Sequence, residues 1–225
     1  MVDESLHAIA ARALHGTGLN VIGSAPIEAY DARAPLPQRS RVLMRAARGV
    51  LVVGSGGREL WDDFRRAVAA DPSHLDRAHP LDDHVASALD GVDVALGLAG
   101  VGSRRFEPTL LASPALDFRA LGEIAALGSL GPFGMLIHET HGPWWALRGA
   151  WLVDAAVDPP PARATPCSGC LAPCVGGPSS KSRAIELATR EARVRCIVGH
   201  ASRYEDEQLA YHYDRQATLA KIRTS

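Results

Sequence analysis

The sequence predicts a mixed α+β protein with a helical, cysteine-bearing extension in its C-terminal part. Several segments repeat apolar residues at helical spacing, and short β-branched runs end in glycine. A proline run then precedes three closely spaced cysteines. The chain has 225 residues, 47% of them hydrophobic and 22% charged. It is therefore long enough to bury a substantial core without disulfide bonds.

The first half of the chain alternates predicted helices and strands. Apolar spacing predicts a helix over 6–14, which Gly16 and Gly18 end before the strand-like LNVIG. The later predicted elements of this half are a buried strand at 49–57, a helix at 59–70 ended by Asp71-Pro72, a helix at 80–89, a strand at 92–100 and a helix at 114–127 led by Pro114.

Residues 132–153 read as a β-hairpin, because the apolar runs FGMLI and WALRGAWLV are joined by the turn-rich HETHGP. The prolines at 159–161 then form a stiff spacer. We therefore divide the chain near residue 158 into a core domain, 1–158, and a cysteine-bearing extension, 159–225. Two more helices are predicted in the extension, over 180–194 and 204–219.

The net charge and the hydropathy of the chain limit the classes of molecule that it is expected to bind. A formal net charge of -1 argues against broad nucleic-acid binding. The N-terminal residues lack the basic and apolar regions of a secretory signal, and no apolar stretch is long enough to span a bilayer. We expect a cytoplasmic protein with no nucleic-acid or membrane partner. Thiols stay reduced in the cytoplasm, which favours a metal or redox role for the cysteines over disulfide bonds.

The segment PCSGCLAPCVGG holds three of the four cysteines. Cys167 and Cys170 form a C-x-x-C pair, Cys174 follows after a three-residue gap, and Cys196 stands alone downstream. Four-cysteine zinc sites usually have two C-x-x-C pairs, whereas ferredoxin-type runs combine clustered cysteines with a remote one. The spacing favours one [4Fe-4S] cluster held by all four cysteines. Zinc, and metal-free or redox-active thiols, are the alternatives.

Residues 115–154, ALDFRALGEIAALGSLGPFGMLIHETHGPWWALRGAWLVD, resemble a segment of the cobalamin-dependent epoxyqueuosine reductases. The shared order is a proline-led helix, a glycine turn, an apolar strand and a G-S-W-F-x-L-G-E-like strand. Ferredoxin-type cysteines follow in those enzymes as they do here. The matching positions are Pro114, Leu127, Gly128, Gly131, Gly142, Trp144, Trp145, Leu147, Gly149 and Asp154.

HETHGPWWALRG, residues 138–149, is also similar to H-P-R-F-G-G-W-F-A-I-R-G of the CblC-type cobalamin-processing chaperones. RYEDEQLAYHY, residues 203–213, is similar to their R-Y-S-E-E-Q-K-A-Y-F. The residues shared with the first motif are His138, Gly142, Trp144, Ala146, Arg148 and Gly149. Both resemblances imply a nitroreductase-like α+β core that holds a cobalamin beside a redox partner.

The resemblances imply a corrinoid site in this core. Its candidate cofactor-binding residues are Gly128, Gly131, His138, Gly142, Trp144, Trp145 and Arg148. Glycines allow close approach of a flat macrocycle, and the tryptophans offer apolar area; alternatively, the tryptophans are core and the glycines are turns. Arg148 could meet a propionamide, a phosphate or a carboxylate. His138, His141 and His200 could contact a corrinoid or accept a proton.

At two positions this sequence differs from the motifs of the two families, and these differences limit the reactions that we expect. Leu111 stands where epoxyqueuosine reductases have the aspartate thought to donate a proton, so epoxyqueuosine reduction is not expected. Thr140 replaces the glutathione-binding arginine of the CblC motif, which puts glutathione-dependent dealkylation in doubt. No catalytic residue is assigned.

The expected function is an iron–sulfur protein that binds a corrinoid and reduces or processes it, with electrons passing from the cluster to cobalt. The electron donor protein is not identified. One alternative is an iron–sulfur electron-transfer protein without cobalamin. Another is a flavin-binding reductase, since nitroreductase-like cores often hold FMN. The glycines of VVGSGG could cradle a phosphate, although they do not form a G-x-x-x-x-G-K-[ST] loop.

Overall fold

The protein is described by a computed structural model that covers residues 5–108, 116–163, 165–171, 174 and 183–224. The described helices are α1 Leu6–Ala13, α2 Ile27–Asp31, α3 Ser40–Leu43, α4 Glu59–Ala70, α5 Pro80–Leu98, α6 Phe118–Ile124, α7 Arg183–Arg195, α8 Asp206–Tyr213 and α9 Arg215–Thr224. The described strands are β1 Val21–Pro26, β2 Gly49–Gly56, β3 Ser103–Phe106, β4 Ser129–Leu130, β5 Leu136–Ile137 and β6 Trp145–Val153. The predicted α+β class is confirmed.

A four-stranded antiparallel sheet forms the centre of the fold, in the order β1-β2-β6-β3. Every residue of the central strand β2 is buried, which explains why its sequence is a continuous apolar run rather than an alternating one. The pairing of β2 with β6 shifts register between Val53 and Gly54. This irregularity lies near the end of the sheet where β6 begins.

Helices cover both faces of the sheet. The α5 face carries Leu51 and Val53 of β2 and packs against α1, α4 and α5. The α6 face carries Val50 and Val52 and packs against α2 and α6. Successive residues of a strand point to opposite faces, so one strand supplies both cores. Each fully buried valine or leucine contributes about 1.5–3 kcal/mol.

Residues 92–100, predicted as a strand, instead form the second half of α5 and the turn after it. The buried positions of this helix repeat every three or four residues: Leu81, Val85, Leu89, Val92 and Leu96. Val94 and Leu98 lie on the other side and are 62% and 86% exposed. The prediction was wrong because a short apolar run does not by itself distinguish a buried strand from a helix.

The predicted hairpin is also wrong. The FGMLI run contributes β5, which pairs with β4, whereas β6 pairs with β2 and β3. Between β5 and β6, His138 and Gly142 form a single antiparallel bridge that closes a tight turn. An alternating apolar pattern indicates strands but does not identify their partners, and here the longer pairing with β2 prevails.

Strand β3 was not anticipated by the sequence. Its residues, SRRF, include two arginines and resemble a surface segment. Among the described strands, β3 pairs with β6 alone, at the edge of the sheet. Edge strands commonly carry charged side chains, which oppose pairing with another chain.

The helix predicted over 114–127 is confirmed in its described part as the shorter α6. The Asp117 side chain caps it by accepting a hydrogen bond from the Ala120 N–H at 3.0 Å. Pro114 and Leu111 lie outside the described residues. The helix predicted over 180–194 appears as α7 from Arg183 onward.

The helix predicted over 204–219 is two helices, α8 and α9, because the chain leaves helical geometry at Asp214. Tyr211, Leu219 and Ile222 of these helices belong to the hydrophobic cluster on the α5 face. The division near residue 158 stays a prediction, but the C-terminal helices share their buried residues with the core. No helix among the described residues combines the length and apolar character needed to cross a bilayer.

Candidate functional site

The fold brings the remote cysteine into the neighbourhood of the clustered ones. Cys196 follows α7 and is buried. Burial raises the pKa of the Cys167 thiol, and the other three cysteines raise it further. Burial also raises the pKa of Cys196; a backbone hydrogen bond from Val198 opposes this shift, and Cys170 and Cys174 add to it. Cys167 and Cys174 pack against the same small apolar cluster as Val198, two residues after Cys196, so the segment after Cys196 approaches the clustered cysteines.

In the parts of the chain that the structure describes, no three His, Cys, Asp or Glu side chains are grouped closely enough to hold a metal ion. The four cysteines are free thiols. Two of them pack against a small apolar cluster of Phe133, Ile137 and Ala192. The chain contains four cysteines, the number that a [4Fe-4S] cluster needs, and the ligand set stays a prediction.

Backbone contacts hold the segment after Cys196 against the turn that precedes β6. A Cβ on Gly142 would overlap the carbonyl of Val198, and a Cβ on Gly199 would overlap the backbone of His141. Gly142 and Gly199 also have φ of 56° and 68°, where side chains are strained. The close approach at Gly142 is therefore to this chain's own cysteine-bearing segment.

His138 is buried at the start of this turn. Its Nδ1 accepts hydrogen bonds from the N–H groups of Thr140 at 3.0 Å and His141 at 3.2 Å. These two donors assign the proton of the neutral ring to Nε2. Burial, together with smaller effects of His141 and Arg163, lowers the pKa of His138 from 6.5 to about 4. His138 is therefore a neutral group at pH 7.

His141 packs beside His138, with ring centroids 4.8 Å apart. Its Nδ1 lies 2.8 Å from the Ser202 hydroxyl. Burial lowers the pKa of His141, and Glu59 opposes that shift. His200, the third histidine candidate, is exposed in the turn that contains Ser202. The structure thus groups two of the three histidines.

Replacing His138 with glutamine is expected to reduce the acid sensitivity of the fold. Because the folded-state pKa is lowered, the unfolded chain binds more protons between pH 6.5 and about 4, and stability falls as pH falls through that window. The shift corresponds to at most about 3 kcal/mol. Urea unfolding at a series of pH values measures how the free energy of unfolding changes with pH in each protein.

The matched control is His79→Gln, at an exposed histidine. Both variants lose one imidazole, but His79→Gln should keep the wild-type slope. The glutamine at position 138 retains an acceptor for the two backbone N–H groups. An unchanged slope in His138→Gln would show that His138 is not the group titrating in this window.

A cavity of about 530 Å³ lies beside the cysteine segment. Its walls come from α2, the segment after α6, the prolines at 159–161 and Pro166, the residue before Cys167. Ser129 lines the cavity, and its hydroxyl oxygen is buried without a hydrogen-bond partner among the described residues. A buried polar atom without a partner is costly, so a ligand that reached this hydroxyl would relieve that cost.

Two ion pairs stand among the lining residues. Arg33 contacts Glu123 at 3.1 Å, and Arg163 contacts Glu139 at 3.6 Å. All four side chains are partly exposed, so these pairs add little stability. The cavity is apolar along its proline wall and charged at these pairs, a mixture typical of small-molecule sites.

One predicted cofactor-binding residue, Gly128, lines this cavity, and Gly131 and Trp145 pack against residues that line it. A Cβ on Gly128 would lie 2.9 Å from the Trp145 ring. The Trp145 indole N–H donates to the Leu136 carbonyl at 2.9 Å, which fixes the ring under the cavity wall. A Cβ on Gly131 would lie 2.7 Å from Ile137, another lining residue. Both glycines therefore allow close packing within the chain.

Trp144 lies elsewhere and is 1% exposed. The guanidinium of Arg193 lies 4.8 Å from its ring centroid and 4.6 Å from that of Tyr204. Arg193 is itself buried, and its Nε donates to the Pro143 carbonyl at 3.1 Å. Arg193 therefore joins α7 to the turn before β6. Cys196 directly follows α7, so this contact also helps to position Cys196.

Arg148 is separate from the cavity. Its Nε donates to the buried Ser55 hydroxyl at 3.1 Å. It lines a different depression together with Leu81 and Tyr211, both members of the cluster on the α5 face. The predicted cofactor-binding residues therefore do not form one site. Gly128 lines the cavity, Trp144 contacts Arg193, and Arg148 lines a different depression.

The glycine run considered as a phosphate cradle lies inside the sheet. Gly54 and Gly56 are buried in β2. A Cβ on Gly54 would lie 2.7 Å from the Ala146 carbonyl, and one on Gly56 would overlap the His141 ring. The backbone at these two glycines is occupied by the protein itself, and the FMN alternative gains no support.

Arg193 and Ser129 were missed by sequence reasoning. An arginine within a polar helix resembles a surface residue, and one serine in a turn carries no motif. The RYEDEQ resemblance did include Tyr204, the ring beneath Arg193. Only that resemblance could have drawn attention to this contact.

No protein-family model matches the sequence, and no curated protein matches it. The structure is similar to that of the B12-trafficking protein CblC from C. elegans, with a TM-score of 0.64, 14% identity and coverage of 96% of this chain and 95% of that one. At this identity the similarity shows the fold alone. The fold expected from the sequence resemblance is thereby confirmed.

An epoxyqueuosine reductase solved with a tRNA stem loop is also similar, with a TM-score of 0.51 and 12% identity. The match covers 72% of this chain and 48% of the reductase. This chain therefore corresponds to about half of that enzyme, and the similarity extends to the fold of that half.

Proposed function

We propose that this protein binds a corrinoid in the cavity beside the cysteines, and that it reduces or processes the corrinoid using one [4Fe-4S] cluster held by Cys167, Cys170, Cys174 and Cys196. The observation that carries the proposal is the continuity of the two sites. Pro166 lines the cavity and the next residue is Cys167. A cluster and a corrinoid held there would be neighbours.

The fold supports the corrinoid part of the proposal, because it is shared with a B12-trafficking protein over nearly the whole of both chains. A cavity of about 530 Å³ is within the range of small-molecule sites. It would cover part of a corrinoid and leave the remainder to solvent or to another molecule. The unpartnered Ser129 hydroxyl would hydrogen-bond an amide at the edge of the ligand.

The cysteine arrangement supports the cluster part. When bound, a [4Fe-4S] cluster supplies single electrons at potentials between roughly −700 and +450 mV. The chain's own contribution would be to supply four thiols to the cluster, while Gly142 and Gly199 hold the segment after Cys196 and apolar side chains pack against Cys167 and Cys174. Such a function suits a reducing compartment such as the cytoplasm.

The neutral His138 has a defined role in this proposal. Its Nδ1 is engaged by two backbone N–H groups, so only Nε2–H is free to donate. With a pKa of about 4 the ring adds no positive charge at neutral pH. It would position a ligand oxygen or a water by hydrogen bonding, without acting as an acid.

The test is cobalamin binding by variants that fill the cavity. Ala29 is an exposed alanine of α2 that lines it. Ala29→Trp is expected to weaken cobalamin binding at least about tenfold, the effect of losing roughly 1.4 kcal/mol of contact. Equilibrium dialysis with the visible spectrum of the corrinoid measures binding. Comparing the rate of dithionite reduction of the bound corrinoid with and without the reconstituted cluster then tests electron delivery.

The control is Ala11→Trp, the same change at an exposed alanine of α1 in a different depression. It should bind cobalamin like the wild type. Failure of the wild type to bind any cobalamin form would refute the corrinoid part, and equal affinity of the two variants would place the ligand elsewhere.

A second candidate is an iron–sulfur electron-transfer protein without a corrinoid. It is favoured by one observation: at Gly131 and Gly142 the close approach that glycine permits is to the chain itself. About four irons per chain without corrinoid uptake would support this candidate. Anaerobic purification with metal analysis, followed by dialysis against cobalamin, separates the two.

A further inference from the structure

A basic surface lies on the segment that connects α2 with β2. Residues 32–48 contain five arginines and no aspartate or glutamate, although the whole chain has a formal net charge of -1. Arg104 of β3 joins this segment, because its guanidinium donates a hydrogen bond to the Leu43 carbonyl. We refer to residues 35–48 together with Arg104 as the arginine surface. Positive charge is thus concentrated there, on a chain that is otherwise net negative.

The arginine surface lacks counter-charges of its own. Among the described residues, no ion pair reaches the following arginines: Arg39, Arg41, Arg45, Arg48 and Arg104. The ion pairs of this region are formed by Arg33 and Arg105 instead. Asp31, just before the surface, accepts hydrogen bonds from the backbone N–H and the hydroxyl of Ser40 at 2.7 and 2.6 Å. Like charges repel one another, so an anion from outside would stabilise this surface.

Two large aliphatic side chains stand exposed among these arginines. Leu36 and Val42 are each 60% exposed. Leu36 begins a single 3₁₀ turn, Leu36–Gln38, and is flanked by prolines at 35 and 37. Proline fixes its own φ angle, so holding this turn against a partner costs little conformational entropy.

The same segment is anchored to the core by other residues. Ala34 and Leu43 belong to the cluster on the α6 face of the sheet, and Ser40 is also buried. Because these residues point inward, the intervening Leu36 and Val42 are held on the outside together with the arginines. The apolar and basic groups therefore form one outward-facing surface.

This combination matches the interface of an anionic lipid bilayer. Guanidinium groups contact lipid phosphates, while aliphatic side chains enter the boundary between headgroups and acyl chains. Clustered basic residues are attracted to an anionic leaflet within about one Debye length. A single-stranded nucleic acid is a poorer match, because bases stack on aromatic rings and residues 32–48 contain none.

We propose that the arginine surface is a peripheral docking site for an anionic phospholipid bilayer. Arg41, Arg45 and Arg48 would contact lipid phosphates, and Leu36 and Val42 would enter the headgroup boundary. The sequence-based expectation of no membrane partner rested on the lack of a signal or spanning segment, and a surface contact requires neither. The proposal involves neither corrinoid nor cluster, so it is tested on protein that holds neither.

The probe is a large unilamellar vesicle, mixed with the full-length, metal-free protein and separated by sedimentation. The wild type should bind vesicles of equal parts phosphatidylcholine and phosphatidylglycerol, and it should not bind phosphatidylcholine vesicles. Raising NaCl from about 50 to about 300 mM should weaken binding at least about tenfold, because salt screens the arginines.

The double variant Arg41→Gln/Arg45→Gln is expected to weaken vesicle binding at least about tenfold, because two phosphate contacts are lost. Leu36→Ser should weaken it about threefold, because an aliphatic side chain no longer leaves water. All three positions are exposed, so the fold should be retained, and near-UV circular dichroism checks this.

The matched control is the double variant Arg66→Gln/Arg77→Gln. It removes the same charge from α4, where Arg66 is 67% exposed, and from the exposed segment before α5. These elements cover the other face of the sheet. The control should bind vesicles like the wild type, whereas an equal loss in both double variants would show that net charge alone governs binding and would overturn the proposal.

Two polyanions without lipid, an RNA oligonucleotide and poly-L-glutamate, identify the class of partner. At equal concentrations of negative charge, the vesicles should bind more tightly than either. Tighter binding of a polyanion, or unchanged vesicle binding in Leu36→Ser, would assign the surface to a nucleic acid or an acidic protein instead. A wild type that does not bind phosphatidylglycerol vesicles, or that binds both vesicle types equally, would also overturn the proposal.

Discussion

Replacing Cys196 with serine is expected to abolish iron loading. Wild-type protein reconstituted under anaerobic conditions should hold about four irons per chain, the content of one [4Fe-4S] cluster. Cys196 is buried, and Val198, two residues further on, packs against the same apolar cluster as Cys167 and Cys174. A serine hydroxyl is a harder and much less acidic ligand than a thiol, so it does not replace the soft thiolate that such clusters need. Iron and sulfide analysis with electron paramagnetic resonance measures the loss.

Ile197→Ser is the matched control for this experiment. It introduces the same side chain one residue further on, at a position that is 64% exposed, and it should load iron like the wild type. Full iron content in Cys196→Ser would contradict a four-cysteine centre. Zinc in the wild type, in place of iron, would replace the cluster with a structural metal site.

Replacing Gly142 with alanine is expected to cause the largest loss of stability among the substitutions considered. The added Cβ would overlap the Val198 carbonyl, and the backbone at φ 56° adds strain. Strain and overpacking together cost about 3 kcal/mol or more. The melting temperature should fall by about 6–12 °C for a chain of this size, as measured by calorimetry on the metal-free protein.

Gly134→Ala separates strain from overlap. Gly134 has φ 83°, but a Cβ there meets nothing within 4 Å. The stability of Gly134→Ala should fall only by the backbone strain, about 1 kcal/mol, which lowers the melting temperature by about 2–4 °C. Gly142→Ala should also lose iron, because the displaced segment carries Cys196, whereas Gly134→Ala should keep it. Equal stability losses in the two variants would contradict the contact with Val198.

The predictions that held rest on local patterns. The helix at 59–70 and the buried strand at 49–57 were predicted from the spacing and composition of their own residues. They appear as α4 Glu59–Ala70 and β2 Gly49–Gly56. In both, the local preference and the tertiary environment agree, because an amphipathic helix covers the sheet and an apolar strand lies at its centre.

The predictions that failed concern which segments of the chain pair or pack with one another. Residues 92–100 are apolar enough for a strand, but their burial at helical spacing against the sheet continues α5. The run at 145–153 was expected to pair with its neighbour in sequence, and it pairs with β2 instead. Pairing energy depends on register and on the face that each strand buries, and neither is encoded in the strand alone.

The candidate site shows the same limit. The sequence selected Gly128, Gly142 and Trp145 by resemblance, and all three lie in tightly packed places. It did not indicate that Gly142 contacts the segment after Cys196. It also gave no reason to notice Arg193, whose importance depends on two rings from distant parts of the chain.

The sequence by itself determined the α+β class and most of the helices, because those properties follow from the type and spacing of neighbouring residues. Tertiary structure alone decided that the segment after Cys196 packs against the same apolar cluster as Cys167 and Cys174, that a cavity adjoins Cys167 and that Arg148 lines a separate depression. These depend on contacts between residues far apart along the chain, whose geometry is fixed only when the core packs.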